Sequence, residues 1–259
     1  KATKSWHKTD SGTWVIQSSY NYDELGRVKR EMLGNFGEIR DYTYNIRGQL
    51  TGINDYYTRT GDRQGESRSF GESLCYDHGF TVPRYDGKIS GMLWRGAGSS
   101  LVSAYGYDYD YSGRLTGAEY RRYEPPSGSY FAYAWRKDLA DYTVSNLSYD
   151  RDGNIKSMDQ RSVQPGVGLV NMDQLVYSYE DSEQSNRLNK VVDNAAFSGL
   201  GDFNNTNSSN SDYDYDPNGN LALDNNKGIA SVTYTHFNKP QTISFSNGKS
   251  IVYSYDAAG

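Results

Sequence analysis

Three sets of residues in this 259-residue chain have types and spacings that could do chemistry. The first is Asp214-x-Asp216-x-Asn218-Gly219 followed by Leu221, which copies the opening of a calcium-binding EF-hand loop. The twelfth position of such a loop needs a bidentate glutamate and here holds Asn225, and no flanking helices are indicated. A plain hairpin turn accounts for the same residues. The second set is His7, His78, His236 and Cys75, none of which stands at metal-ligand spacing from another. The third is aromatic: Trp6, Trp14, Trp94, Trp135 and 25 tyrosines could stack on sugar rings. No Gly-x-Ser-x-Gly elbow, phosphate loop or Cys/His nucleophile pairing occurs. The carboxylates are scattered, with no spacing that pairs two of them. The sequence therefore assigns no catalytic, cofactor-binding or metal-binding residue and points to a non-enzymatic protein.

The elements that carry these residues are written in a recurring phrase: Tyr, any residue, Tyr, Asp or Asn, two free positions, Gly, a polar residue, an aliphatic one. It first reads Tyr20-Asn-Tyr22-Asp23-Glu-Leu-Gly26-Arg27-Val28 and returns as Tyr42-Thr-Tyr44-Asn45-Ile-Arg-Gly48-Gln49-Leu50. Further copies are Tyr107-Asp-Tyr109-Asp110-Tyr-Ser-Gly113-Arg114-Leu115, Leu147-Ser-Tyr149-Asp150-Arg-Asp-Gly153-Asn154-Ile155 and Tyr213-Asp-Tyr215-Asp216-Pro-Asn-Gly219-Asn220-Leu221. The chain stops inside a sixth, Tyr253-Ser-Tyr255-Asp256-Ala-Ala-Gly259, which is expected to be a truncation in mid-repeat. Internal repeats of this kind outrank other sequence signals in deciding a fold.

Each position has a physical job. Tyrosines two apart point to the same face of a strand. The Asp or Asn starts a tight turn through its own side chain, and the Gly supplies the positive φ that closes a type I turn plus bulge. The polar and aliphatic residues begin the return strand, so one phrase encodes one β-hairpin. Successive turn glycines are 22, 65, 40, 66 and 40 residues apart, which fits eleven units of about 21 residues. The skipped units hold decayed copies: Leu74-Cys-Tyr76-Asp77 with Tyr85-Asp86-Gly87-Lys88-Ile89, Tyr177-Ser-Tyr179-Glu180 with a lengthened turn before Arg187-Leu188, and Tyr234-Thr-His236-Phe237-Asn238-Lys-Pro240. His236 occupies a tyrosine position there and reads as a structural substitute.

Composition asks for an unusual architecture. Leu, Ile, Val and Phe make up 45 of the 259 residues, about 17%, a share that ordinarily signals disorder. The net charge is only −5, however, and the 25 tyrosines carry strong β-propensity. Eleven two-stranded units would span on the order of 100 Å at the usual strand spacing, and sheets that wide curl or close as twist accumulates. The expected fold is all-β: repeated hairpins forming one long curved sheet around a hollow, over residues 1–259 as a single repeat region. The polar stretch 201–212 is expected to be a flexible loop insertion.

The Tyr-Asp-x-x-Gly-Arg-Leu phrase resembles the signature of the YD-repeat, or Rhs, proteins, and it covers nearly all of the chain. The run from Asp214 through Asp224-Asn-Asn-Lys-Gly-Ile229, Tyr234-Thr-His-Phe-Asn-Lys-Pro240 and Ser246-Asn-Gly248 to Tyr253-Ser-Tyr255-Asp256 looks like the C-terminal half of Bacteroidetes-type Rhs regions. The resemblance implies a hollow β-shell that encloses another polypeptide, as in Rhs polymorphic toxins and, more distantly, ABC toxin complexes and teneurins. It also implies a secreted or surface-displayed bacterial parent whose partners are further Rhs repeats and a C-terminal toxic cargo. Asp216-Pro217-Asn218-Gly219 is similar to the Asp-Pro-x-Gly phrase of the family's self-cleavage region, but Asn220 stands where that phrase has Leu, so an ordinary turn is expected. The alternative, suggested by teneurins, is an adhesion or carbohydrate-binding module that recognises surface glycans.

Other bounds are modest. A lone Cys75 excludes an internal disulfide. No apolar run approaches the ~18 residues of a membrane span. The 27 basic residues are scattered and outnumbered by 32 acidic ones, which disfavours a nucleic-acid partner. The sequons at Asn146, Asn204 and Asn207 carry no meaning in a bacterial host.

Overall fold

A computed structural model describes residues 1–34, 37–123, 135–136, 140–199, 201–203, 207 and 209–256, with the side chains of Trp135, Arg136, Ser182 and Glu183 excepted. The chain divides into two compact units, Lys1–Asp141 and Tyr142–Gly259.

Alternation along the phrase makes the strands. The residue between the paired positions (Asn21, Thr43, Asp108, Ser148 and Asp214) is exposed, while the tyrosines flanking it are half-buried and Leu147, in the place of a tyrosine, is buried. In the first unit β1 (Lys4–His7), β2 (Val15–Tyr22), β3 (Val28–Leu33), β4 (Glu38–Tyr44) and β5 (Leu50–Ile53) are followed by a one-turn helix, α1 (Asp55–Thr60). Then come β6 (Phe70–Cys75), β7 (Gly91–Gly96), β8 (Val102–Tyr109), β9 (Leu115–Tyr123) and β10 (Trp135–Arg136). Each strand pairs antiparallel with the next, so the unit is a continuous meander.

The second unit repeats the plan in two sheets. One is β11 (Val144–Tyr149), β12 (Ile155–Gln164), β13 (Gly168–Tyr179) and β14 (Leu188–Asp193), with the four-residue α2 (Glu180–Glu183) inside the lengthened turn before Arg187. The other is β15 (Tyr213–Tyr215), β16 (Leu221–Asp224), β17 (Ile229–Tyr234), β18 (Pro240–Phe245) and β19 (Ser250–Val252). The protein is nearly all β, as expected.

Contacts run mainly between strands that are neighbours in sequence, and of the two helices α1 makes the broader contact, lying against β4, β6 and β7. Each unit follows in its contacts the pairing order of its strands. Its interior matches the shortage of aliphatics: thirteen hydrophobic residues and thirteen polar ones are buried among the described residues. Buried polar groups are tolerated only when bonded, and among the described residues the structure bonds them except for single atoms such as Arg95 Nη2. Asn54 is held in the left-handed region at φ 50. Its side chain accepts from Asp41 N–H at 2.9 Å and donates to the carbonyls of Ile39 and Phe70 at 2.9 and 2.8 Å. Arg68, 3% exposed, donates to Asp41 at 2.6 Å and to Glu66, and Arg30 bridges the same two carboxylates at 2.5 and 3.0 Å.

The loop between β6 and β7 supplies a different solution. Gly91 and Gly106 face one another across β7 and β8, and the ring of Phe80 fills the slot they leave. A Cβ on Gly91 would overlap that ring.

Candidate functional site

The feature that recurs along the phrases, among the described residues, is a pair of linkages, one inside the hairpin and one between hairpins. Inside the hairpin, Asp23 N–H donates to the Arg27 carbonyl at 2.9 Å and Gly26 N–H to the Asp23 carbonyl at 2.8 Å. The same two bonds recur at Asn45/Gln49, Asp110/Arg114, Asp150/Asn154 and Asp216/Asn220. The five glycines Gly26, Gly48, Gly113, Gly153 and Gly219 lie at φ 78, 80, 79, 92 and 84. This is the type I turn with a glycine bulge. In the decayed copy at Thr235, Asn238 takes the left-handed position at φ 57, a conformation asparagine tolerates better than most residues.

The turn acid is clamped by the polar residue that follows the glycine. Asp23 Oδ1 accepts from Arg27 N–H at 2.8 Å and Oδ2 from Arg27 Nε at 2.7 Å. Arg114 holds Asp110 identically at 2.9 and 2.7 Å, and Asn154 and Asn220 do the same to Asp150 and Asp216. These hydrogen bonds hold all four carboxyls below the usual aspartate range. The Arg114 N–H leads at Asp110 and the Asn220 side chain at Asp216. At Asp23 and Asp150 desolvation is the largest influence and pushes upward, but the bonds from Arg27 and Asn154 together outweigh it.

Between hairpins, seven second-position tyrosines of the phrases and their decayed copies donate the hydroxyl to the carbonyl of the aliphatic residue that ends the preceding one, while Tyr22 donates to the Ala2 carbonyl at 2.5 Å. Tyr44 reaches Val28 at 2.9 Å, Tyr76 Leu50 at 2.9 Å and Tyr109 Ile89 at 2.9 Å. In the second unit Tyr179 reaches Ile155 at 2.8 Å, Tyr215 Leu188 at 3.0 Å, Tyr234 Leu221 at 2.7 Å and Tyr255 Pro240 at 2.7 Å. Cations from the residue before that carbonyl lie over the same rings: Arg27 over Tyr44 at 4.5 Å, Lys88 over Tyr109 at 6.0 Å, Arg187 over Tyr215 at 5.8 Å and Lys239 over Tyr255 at 5.3 Å. The spacing of the phrases was legible, but this latch was not, because its acceptor is a main-chain carbonyl.

The first tyrosines face the same side. Tyr42 donates to Glu31 at 2.8 Å, and burial followed by that carboxylate pushes its phenol up to about 12. Tyr107 is likewise pushed to about 12, by burial first and then by Tyr109 and Tyr105. Burial also raises the Tyr213 phenol, and Tyr253 stacks on Tyr255 at 6.5 Å. Tyr20 and Tyr149 are half-buried on their strands. Gly259 lies outside the described residues, as do the side chain of Trp135 and the sequon at Asn204.

Trp94 packs among tyrosines, stacked on Tyr105 at 5.5 Å and tilted to Tyr120 at 6.1 Å, with Tyr105 and Tyr120 in edge contact at 5.3 Å. Trp6 and Trp14 are exposed, at 49% and 63%. His78 pairs with Asp77 at 3.0 Å; His236, expected at a tyrosine position, instead stands in the turn between Thr235 and Asn238, because Tyr234 holds that position, and it lies against Phe237 at 3.8 Å between ring centres. Cys75 is buried, which raises its thiol. In the EF-hand-like run the Asp216 carboxylate is occupied by Asn218 N–H and by Asn220, so it is a turn acid. The pairing of carboxylates that spacing did not suggest occurs elsewhere: Asp173, Asp193 and Asp202 each bring an oxygen within 4.8 Å of the other two.

No protein-family model and no curated protein matches the chain. Among solved structures, a chain of the Photorhabdus luminescens Tc holotoxin pore superposes with a TM-score of 0.59 at 18% identity, covering 98% of this chain. The chain spans 11% of the length of that neighbour, and at this identity the likeness is one of fold. Two crystal structures of TcdB2-TccC3 also match. The one without its hypervariable C-terminal region does so at 13% identity over 95% of this chain and 14% of that one, with a TM-score of 0.35. The other, in complex with Cdc42, does so at 9% identity over 98% and 13%, with a TM-score of 0.31. Scores that low carry no argument. Among the described residues no helix is long and apolar enough to cross a membrane.

Proposed function

We propose that this chain is a stretch of wall from an Rhs-type β-shell, belonging to a secreted or surface-displayed toxin whose C-terminal cargo the shell encloses. The observation that carries the reading is the latch: seven tyrosine hydroxyls tie a hairpin to the one before it. A bond repeated seven times along the chain serves continuity of a sheet, whereas a ligand site would use its residues once. The fold likeness to a Tc holotoxin chain supports the same reading.

The mechanism is containment. A wall whose hairpins are clamped in their turns and latched to one another would keep a protease from the cargo, and this reading assigns the wall no chemistry of its own. Its partners are the remaining repeats and the cargo of the same parent. The test uses the full-length parent protein under limited proteolysis. The C-terminal domain is expected to survive in the intact parent and to be digested once the wall is cut. Digestion of that domain in the intact parent as fast as in the domain expressed alone would overturn containment. A glycan array giving one reproducible hit would favour adhesion instead.

A further inference from the structure

Glu72 and Trp94 face one another across β6 and β7, in a row that runs Ile53, Glu72, Trp94, Ser103 over four neighbouring strands. Residues paired in this way share a face of the sheet, with Cβ atoms about 4.5–5.5 Å apart. Trp94 stacks on Tyr105 at 5.5 Å and 22°, and Tyr105 on Tyr107 at 6.2 Å and 19°, so three rings lie nearly parallel beside the carboxylate. The Glu72 charge reaches the Tyr107 phenol and adds to its rise. Glu72, Trp94 and Tyr107 are each half-buried, so the patch keeps access to solvent.

Among the described residues Glu72 makes no ion pair and no cation lies over Trp94. Burial raises the Glu72 carboxyl, and no donor or cation lowers it again. The next cation along the row is Arg122, opposite Ser103 and three strands from Glu72, about 14 Å at ordinary strand spacing. A carboxylate that gives up hydration without gaining a partner is a net cost. Elsewhere the chain completes the same arrangement. Arg27 bonds Asp23 at 2.7 Å while lying 4.5 Å from the centre of the Tyr44 ring. Arg84 bonds Asp86 at 2.6 Å and lies 5.0 Å from the Tyr109 ring, and Arg187 pairs with Glu180 at 3.9 Å and lies 5.8 Å from the Tyr215 ring. A planar guanidinium can stack on a π-face and offer N–H donors to a carboxylate at once. At Glu72 and Trp94 the carboxylate and the ring are in place without the guanidinium.

We propose that Glu72 and Trp94 hold an arginine side chain from another polypeptide segment, stacked on the indole and bonded to the carboxylate. The occupant is a peptide side chain rather than a free small molecule, because the patch lies on a sheet face. Small ligands need a concave pocket, whereas a side chain is kept in place by the contacts its neighbours make. Lysine is the poorer fit, since a compact ammonium cannot lie flat on the ring and reach the carboxylate through a planar fork. Trp94 keeps its packing on Tyr105 in this role. The inference does not depend on the shell reading.

The test is an NMR titration of the isotope-labelled 259-residue chain, following the Trp94 indole N–H, which Trp94→Phe assigns. The probes are a capped Gly-Gly-Arg-Gly-Gly peptide and its lysine and citrulline counterparts. Expected are a saturable shift with the arginine peptide at a Kd on the order of millimolar, a weaker one with lysine, and none with citrulline, which keeps the shape without the charge. Glu72→Gln should weaken arginine binding about fivefold and melt no lower than the parent at neutral pH, because it removes an unpartnered charge. Glu119→Gln, one residue from Tyr120 and therefore on the other face, should bind as the parent does. No saturable shift with the arginine peptide would overturn the proposal, as would equal affinities for the arginine and citrulline peptides or for the parent and Glu72→Gln. A Tm of Glu72→Gln below the parent would reveal an internal partner and overturn it too. A Trp94 shift with simple sugars but not with the arginine peptide would give the patch to glycan recognition instead.

Discussion

The Tyr44 hydroxyl donates to the Val28 carbonyl at 2.9 Å, and the Arg27 guanidinium next to Val28 lies 4.5 Å from the centre of the same ring. Arg27 also holds Asp23 at 2.7 Å. One residue after the turn glycine therefore closes its own hairpin and caps the tyrosine of the next. Local turn chemistry and the assembly of neighbouring hairpins are coupled through a single side chain.

Removing only the hydroxyl isolates the latch. Tyr44→Phe keeps the ring under Arg27 and strands the Val28 carbonyl, so it should cost about 1 kcal/mol, the net worth of one such bond. Tyr111→Phe, on a fully exposed turn tip, should cost nothing measurable. Chemical denaturation of both variants checks this, and equal midpoints would remove the latch from the account.

The turns themselves are tested at Gly48. Its φ of 80 suits glycine, and a β-branched residue there is strained by about 1–3 kcal/mol. Gly48→Val should therefore melt well below Ile46→Ala, whose side chain is wholly exposed on the same turn. Melting curves that coincide would show that the turn does not need its glycine.

Much of this was written openly in the phrase. Asp23 to Gly26 and Asp110 to Gly113 announce a turn because few residues accept those torsions, and Tyr-x-Tyr announces a strand face because its period is two. The latch was hidden because its acceptor, a backbone carbonyl, has no residue type. Helix α1 was hidden for another reason. It is a six-residue insertion held by tertiary contacts, with Tyr57 buried and its hydroxyl donating to the Gly96 carbonyl at 3.1 Å. The carboxylate cluster depends on a bulge at Met172 and a reversal at Gly201, and neither leaves a spacing to read.

Acid should weaken the turns in a predictable sense. Asp110 titrates below its unfolded value, so its contribution is present above about pH 4 and disappears as the pH falls through its depressed folded value. Asp110→Asn keeps an acceptor for the same turn, as Asn45 does with Arg47 N–H and Gln49 N–H, both at 3.0 Å. The gap in Tm between parent and variant should narrow as pH drops from about 5 to about 2. Parallel curves would show that the Asp110 clamp carries no charge-dependent stability.

Alkali should act in the opposite sense. Tyr42 and Tyr107 titrate near 12 in the fold, against about 10 when unfolded. Raised groups stabilise the protein below the unfolded value, and that stability is lost as pH rises from about 10 to about 12. Ultraviolet titration should show a late tyrosinate population that merges with the early one in denaturant, and a Tm that falls above about pH 10. One uniform transition near the unfolded value in the native protein would contradict this.

The last prediction separates a structural tryptophan from a glycan-binding one. Trp94 is half-buried and shares its two ring contacts with Tyr105 and Tyr120, whereas Trp14 is 63% exposed and belongs to no ring pair among the described residues. If the repeats serve a wall, Trp94→Ala should cost roughly 2–3 kcal/mol, less than the ~3–5 of a fully buried tryptophan, and Trp14→Ala should cost little. Neither change should affect binding to simple glycans, because the wall reading requires none. The decisive measurement pairs a denaturation curve with a glycan array for each variant. A reproducible glycan hit abolished by Trp14→Ala while the midpoint holds would assign that exposed ring to recognition and make adhesion the better account of the chain.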